Sequence, residues 1–200
     1  VAWAVNCLYP DIITIKLQGD CIQYKHLKEI HSLIEKNDVI LLGNGIDIHQ
    51  ETKKFCKELM KQYPNKQKVI DADAIKMLKL QEIRNSIITP HAKECEMLLH
   101  NSNTKKENMQ KIICTNIILK KGPTDIIISK NQIKKISGGN PGLAKAGTGD
   151  VLAGLCAGFL AQSHDLFESA CAASKLSKEI GNILLKKKKG YSFIASDMVK

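Results

Sequence analysis

Gly139-Asn140-Pro141-Gly142-Leu143-Ala144-Lys145-Ala146-Gly147-Thr148-Gly149-Asp150 runs directly into Val151-Leu152-Ala153-Gly154-Leu155-Cys156-Ala157-Gly158-Phe159-Leu160-Ala161. Five of the first twelve positions are glycine or proline, which excludes a regular element there. The next eleven carry neither charge nor proline and read as a buried helix. Small residues at 153, 154, 157, 158 and 161 are expected to let neighbouring backbones approach that helix closely. A glycine run that ends at a helix start offers bare backbone N–H groups and the positive end of a helix dipole, a ready site for phosphate. Asp150 stands where that anion would lie. As a helix cap it would contribute about 1 kcal/mol. A carboxylate in that place makes better sense if it must meet a hydroxyl beside a phosphate.

Outward from this loop, strands and helices alternate. Upstream, Asp11–Leu17 is β-branched and alternating and predicts a strand. Lys25–Glu35 puts Leu27, Ile30, Leu33 and Ile34 on one helical face. Asp38–Leu42 predicts a short buried strand running into Gly43-Asn44-Gly45, and such a turn is where α/β proteins place ligands. Helices are expected over Gln50–Tyr63, Ala74–Leu80 and from Glu94, with strands at Lys68–Ile70, Ser86–Ile88, Thr115–Leu119, Asp125–Ser129 and Gln132–Ile136. Downstream, helices are expected over about 150–161 and 166–185. The alternation argues for an α/β fold, layered, with a mostly parallel central sheet and helices on both faces.

Bulk properties set limits. The 200 residues are 44% hydrophobic and 25% charged, enough for one domain with a substantial core. No linker or internal repeat divides 1–200, so a single domain is expected. The net charge of +10 suits anionic ligands, but aromatics are 4% and not interleaved with basic residues, which argues against a single-strand nucleic-acid surface. Lys186–Lys189 reads as a solvated helix end. Seven cysteines, an odd number with no C-x-x-C pair, fit reduced thiols in a cytoplasmic protein. No apolar run reaches the roughly 18 residues of a membrane span. His49, His100 and His164 form no metal-like cluster. The apolar opening Val1–Leu8 lacks methionine and reads as the interior of a domain.

Taken in order, G-x-G after a strand, Asp71-Ala72-Asp73-Ala74, Thr89-Pro90-His91 with Glu94, Lys121-Gly122-Pro123, and the long glycine motif resemble the ADP/ATP-dependent NAD(P)H-hydrate dehydratases of the ribokinase-like superfamily. The resemblance covers Asp38 to the C-terminus. It implies repair of hydrated NADH and NADPH (NADHX, NADPHX), with ATP or ADP as phosphoryl donor and Mg²⁺ as phosphate counter-ion. The ring hydroxyl is phosphorylated and phosphate then leaves. By the same resemblance Asp150 is the catalytic base and touches substrate. Asn140, Pro141, Gly142, Leu143, Ala144, Lys145, Ala146, Gly147, Thr148 and Gly149 hold nucleotide phosphates. Lys121, Gly122, Pro123, Thr124 and Asp125 lie along the nucleotide, and Gly45, His91 and Glu94 contact the hydrated dinucleotide. No protein-held metal, nucleic acid or membrane is expected, and a homo-oligomer is compatible.

Two departures stand out. Gly43-Asn44-Gly45 replaces the family's G-P-G, and His91-Ala92-Lys93-Glu94 replaces its H-P-G-E, so altered turns are expected on the substrate side. The family's first strand and its helices are expected ahead of Val1, where a targeting segment also has room. The alternatives are a superfamily kinase for a vitamin or sugar, and a nucleotide-binding remnant without turnover.

Overall fold

The computed structural model describes residues 2–200. Helix α1 spans Ala2–Leu8 and α2 His26–Lys36. Strand β1 (Val39–Leu42), helix α3 (Gln50–Gln62), strand β2 (Gln67–Ile70), helix α4 (Ala72–Met77), strand β3 (Ser86–Ile88), helix α5 (Ala92–Asn101), the single turn α6 (Met109–Ile112) and strand β4 (Ile117–Lys120) then alternate. Strands β5 (Thr124–Ile128) and β6 (Ile133–Ser137) follow as hairpins, and helices α7 (Thr148–Ser163) and α8 (Leu166–Lys187) come last.

The sheet order is β1-β2-β3-β4-β5-β6, so every strand pairs with its sequence neighbours. β1 to β4 are parallel because a helix returns the chain each time, and β5 and β6 are antiparallel because short turns join them. Register fixes which residues share a face. Leu42, Ile70, Ile88, Ile118 and Ile128 form one row across the strands. That row packs with Leu27, Phe55, Leu59, Ile75 and Leu98 from α2 to α5. Their neighbours Val69, Ile87, Ile117, Leu119 and Ile127 face the other way, onto Leu152, Ala153, Cys156, Leu160 and Ala170 of α7 and α8. Both faces of a mostly parallel sheet are covered, as its near-continuous isoleucine strands require.

The sequence is misleading in four places. Asp11–Leu17 forms no strand; its alternation has no neighbouring strand to pair with, and Ile13 is 90% exposed. In the apolar opening, Val1 lies outside the described residues and α1 buries no side chain, with Trp3 72% exposed. The helix expected over Ala74–Leu80 starts at Ala72 and stops at Met77. Finally, Gly154 and Gly158 of α7 face open space, so only part of its small-residue stripe serves close packing. Among the described residues no helix is long and apolar enough to cross a membrane.

At the end of the sheet away from the glycine loop, Lys68 is fully buried. Its ammonium donates to the carbonyls of Tyr63 (2.8 Å), Lys66 and Arg84 (3.4 Å) and meets no carboxylate. Burial, then the charge of Lys66, pushes its pKa down to about 8 from the ordinary 10.5. Between those values the unfolded chain binds a proton that the folded chain releases, so stability rises with pH through that window; below about 8 the burial cost is fully present. Urea unfolding should therefore show wild type gaining about 1–3 kcal/mol on Lys68→Met from near pH 7 to near pH 10.5. Parallel curves would contradict this account.

Candidate active site

The carboxyl ends of the parallel strands converge on one carboxylate. Asp71, immediately after β2, is 1% exposed. Its Oδ1 accepts hydrogen bonds from Thr89 Oγ1 beyond β3 (2.7 Å) and from Lys121 Nζ beyond β4 (2.8 Å). Its Oδ2 accepts one from Asn44 Nδ2 beyond β1 (3.0 Å). It occupies the N-cap position of α4 yet makes no capping bond, because its oxygens are engaged elsewhere. The chain before it is equally constrained. Gly43 has φ +130°, and a Cβ there would lie 1.8 Å from the Asp71 carbonyl oxygen, so only glycine fits.

The glycine loop closes over this cluster. Asn140 caps a short 3₁₀ turn by accepting from Gly142 N (2.9 Å), while its Nδ2 is buried without a partner. Thr148 Oγ1 donates to the Leu143 and Lys145 carbonyls (2.6 and 2.8 Å) and braces the loop from beneath. Gly147 turns the chain with φ +85° into α7. The first amides of a helix have no carbonyl one turn back, and Gly149 and Asp150 in the first turn of α7 line the cleft. Lys121 Nζ lies beside them: a Cβ on Gly149 would be 3.4 Å from it. An ammonium and free helix amides therefore face the same space, with the exposed Asp150 carboxylate at its rim. The cleft encloses about 820 Å³.

Most residues expected at the site do line this cleft: His91, Glu94, Lys121, Gly122, Pro123, Asp125, Asn140, Pro141, Leu143, Ala144, Lys145, Gly147, Thr148, Gly149 and Asp150. Gly45, Thr124, Gly142 and Ala146 do not. Gly142 is buried against Phe193, where a Cβ would sit 2.5 Å from the ring, so it brings the loop down onto the C-terminal segment. Thr124 lies in β5 with its hydroxyl 3.2 Å from Ser137 Oγ. Lys145 donates to the Phe193 carbonyl (2.8 Å) and that of Tyr191, so its ammonium anchors the C-terminal segment.

The turn that opens α5 is ordered by its own side chains. His91 and Glu94 form a capping box at the start of α5: Glu94 N donates to His91 Nδ1 (3.2 Å) and His91 N to Glu94 Oε2 (2.9 Å). A neutral histidine accepting at Nδ1 carries its proton on Nε2, which lies 3.3 Å from Glu94 Oε1. Asp125 is turned inward. Its Oδ1 accepts from Gly122 N (2.9 Å), its Oδ2 from Ser174 Oγ (2.7 Å), and Lys178 Nζ lies 3.5 Å from Oδ1. Lys178 also donates to the carbonyls of Gly122, Pro123 and Gly138, pinning the β4–β5 turn to the start of the glycine loop. Sequence reading passed over Lys178; its signal was a lysine on the buried stripe that runs through Ser174 and Gly181 of α8. Cys156 lies below the cluster, but burial, with Asp71 adding to it, pushes its thiol up to about 12, so it offers no thiolate.

A family model described as NAD(P)H-hydrate dehydratase matches residues 4–200. The bifunctional NAD(P)H-hydrate repair enzyme of Methanocaldococcus jannaschii is 37% identical over 195 residues, which are 96% of this chain and 38% of that protein. The ADP-dependent (S)-NAD(P)H-hydrate dehydratase of Enterococcus faecalis is 32% identical over 166 residues, 78% of this chain and 57% of that one. The chain thus spans less than two thirds of the length of either relative. A ribokinase-like superfamily protein from E. faecalis superposes with a TM-score of 0.80 at 26% identity, covering 98% of this chain and 69% of that one. An ADP/ATP-dependent NAD(P)H-hydrate dehydratase from Bacillus subtilis, co-crystallised with ATP and Mg²⁺, shares the fold at a TM-score of 0.68 and 20% identity, over 80% of this chain and 61% of that one.

Removing Lys178 leaves the buried Asp125 carboxylate without its cation. Lys178→Met is expected to lower unfolding stability by about 3–5 kcal/mol in denaturant titrations, with Asp125→Asn/Lys178→Met recovering part of the loss.

Proposed function

Because the chain belongs to the NAD(P)H-hydrate dehydratase family and has its ribokinase-like fold, we propose that this cleft dehydrates NADHX and NADPHX at the expense of ATP or ADP. The observation that carries the reading is the meeting of Lys121, the free amides of α7 and Asp150 across one cleft. Phosphoryl transfer asks the protein mainly for positioning and for stabilisation of charge on phosphate oxygens. The α7 amides and Lys121 supply that charge. The buried Asn140 Nδ2, lacking a protein acceptor, gives a nucleotide oxygen a further donor. Asp150 takes the proton from the ring hydroxyl as its oxygen bonds to the terminal phosphorus, and the bond from that phosphorus to the bridging oxygen of the nucleotide breaks. The ring C–O bond then breaks with inorganic phosphate leaving, and the neighbouring ring carbon loses a proton to restore the double bond. His91 and Glu94, which line the same cleft, contact the dinucleotide.

A metal held by the protein itself does not fit. Among the described residues no three His, Cys, Asp or Glu side chains cluster to hold one. The Asp71 carboxylate is already taken up by Thr89, Lys121 and Asn44. Mg²⁺ enters this reading as the companion of the nucleotide phosphates, and no step runs through it. The seven cysteines are free, and the reducing cytoplasm suits them.

Ultraviolet absorbance of NADHX with the protein, Mg²⁺ and either ATP or ADP tests the proposal. Dihydronicotinamide absorbance should return with stoichiometric inorganic phosphate, and folded Asp150→Asn should be slower by at least about 100-fold. Nucleotide binding without recovery of absorbance would overturn it, and a stable phosphate ester of another alcohol would point to a kinase.

A further inference from the structure

Asn44 stands in the turn after β1, and its side chain spans two carboxylates that are far apart in sequence. Nδ2 donates to Asp71 Oδ2 at 3.0 Å and to Asp150 Oδ1 at 2.5 Å. An asparagine kept only for its turn preference bonds to its own backbone two residues on. This one reaches across 27 and 106 residues instead. The turn is itself held in place: Asp71 N donates to Leu42 O (3.0 Å) and Asp73 N to Gly43 O (3.2 Å), so Asn44 is presented from a fixed base.

We propose that Asn44 is a positioning residue for Asp150. It ties Oδ1 of Asp150 back to the Asp71–Lys121 ion pair and leaves Oδ2 to take the proton of the substrate hydroxyl. The proposal rests on the dehydratase reading for its catalytic consequence, while the bridge is a property of the free protein. An amide suits the place because it donates to both carboxylates and takes up no proton near neutrality. It thereby separates two like charges, of which Asp71 is paired with Lys121. That cation is shared with Glu94 of α5 at 3.9 Å, while Asp73 and Lys76 of α4 pair with each other at 2.9 Å.

Asn44→Asp tests this, since it keeps the shape and turn preference of the side chain but sets a third carboxylate between Asp71 and Asp150. In ligand-free protein its melting temperature should fall progressively below wild type from about pH 4 to about pH 8, as the three carboxylates ionise together. In the NADHX assay its kcat should drop about 10- to 100-fold with the KM for ATP within about threefold. Asn44→Ala, which adds no charge, should lose kcat similarly while its melting-temperature offset from wild type changes much less between about pH 4 and about pH 8 than that of Asn44→Asp. A pH-independent offset for Asn44→Asp, or wild-type kcat in either variant, overturns the proposal. If wild type shows no turnover while the pH-dependent gap in Asn44→Asp is present, the dehydratase reading fails and the Asn44 bridge stands.

Discussion

The arrangement of the site depends on a buried carboxylate that the protein must neutralise. Asp71 is almost wholly removed from water, and an unpaired charge there would cost several kcal/mol. The fold meets that demand by bringing three groups to it, one from beyond β1, one from beyond β3 and one from beyond β4. Asp71 itself follows β2, so satisfying one anion fixes the ends of four parallel strands relative to one another. Lys121 is thereby held with its ammonium at the start of α7, and Asn44 with its amide against Asp150. The electrostatics of the cleft follow from this one ion pair as much as from the glycine loop.

Local signals in the sequence account for the sheet and the loop. The isoleucine-rich strands, the glycines that need positive φ and the His91–Glu94 capping pair each act over a few residues, and each is legible as such. His91-Ala92-Lys93-Glu94 forms its capping box with its first and fourth residues alone. Asp11–Leu17 shows the limit of local reading, since a strand exists only where another strand offers it hydrogen bonds.

What escaped sequence reading is long-range polar structure. Lys178 meets the 122–125 turn from more than fifty residues away, and Asn44 meets Asp150 from 106. Nothing in the spacing of a lysine in a helix, or of an asparagine between glycines, names such partners. Asp71 sits between β2 and α4 at the N-cap position, yet its oxygens point to residues on three other connections. Lys145 and Gly142 differ again: they belong to the glycine motif but serve its attachment to Phe193.

The strictly sequential strand order bears on how the molecule is made. Each strand pairs with the one synthesised just before it, so the sheet can zip up from β1 to β6 with short loop closures as it leaves the ribosome. The helices that cover the Val69–Ile87–Leu119 face are α7 and α8, which emerge only after the last strand. Until then a nascent chain holds these six strands with one apolar face bare. Asp150 arrives with the helix that covers that side. The same late event shields the sheet and completes the constellation at its edge, and a half-made chain has neither.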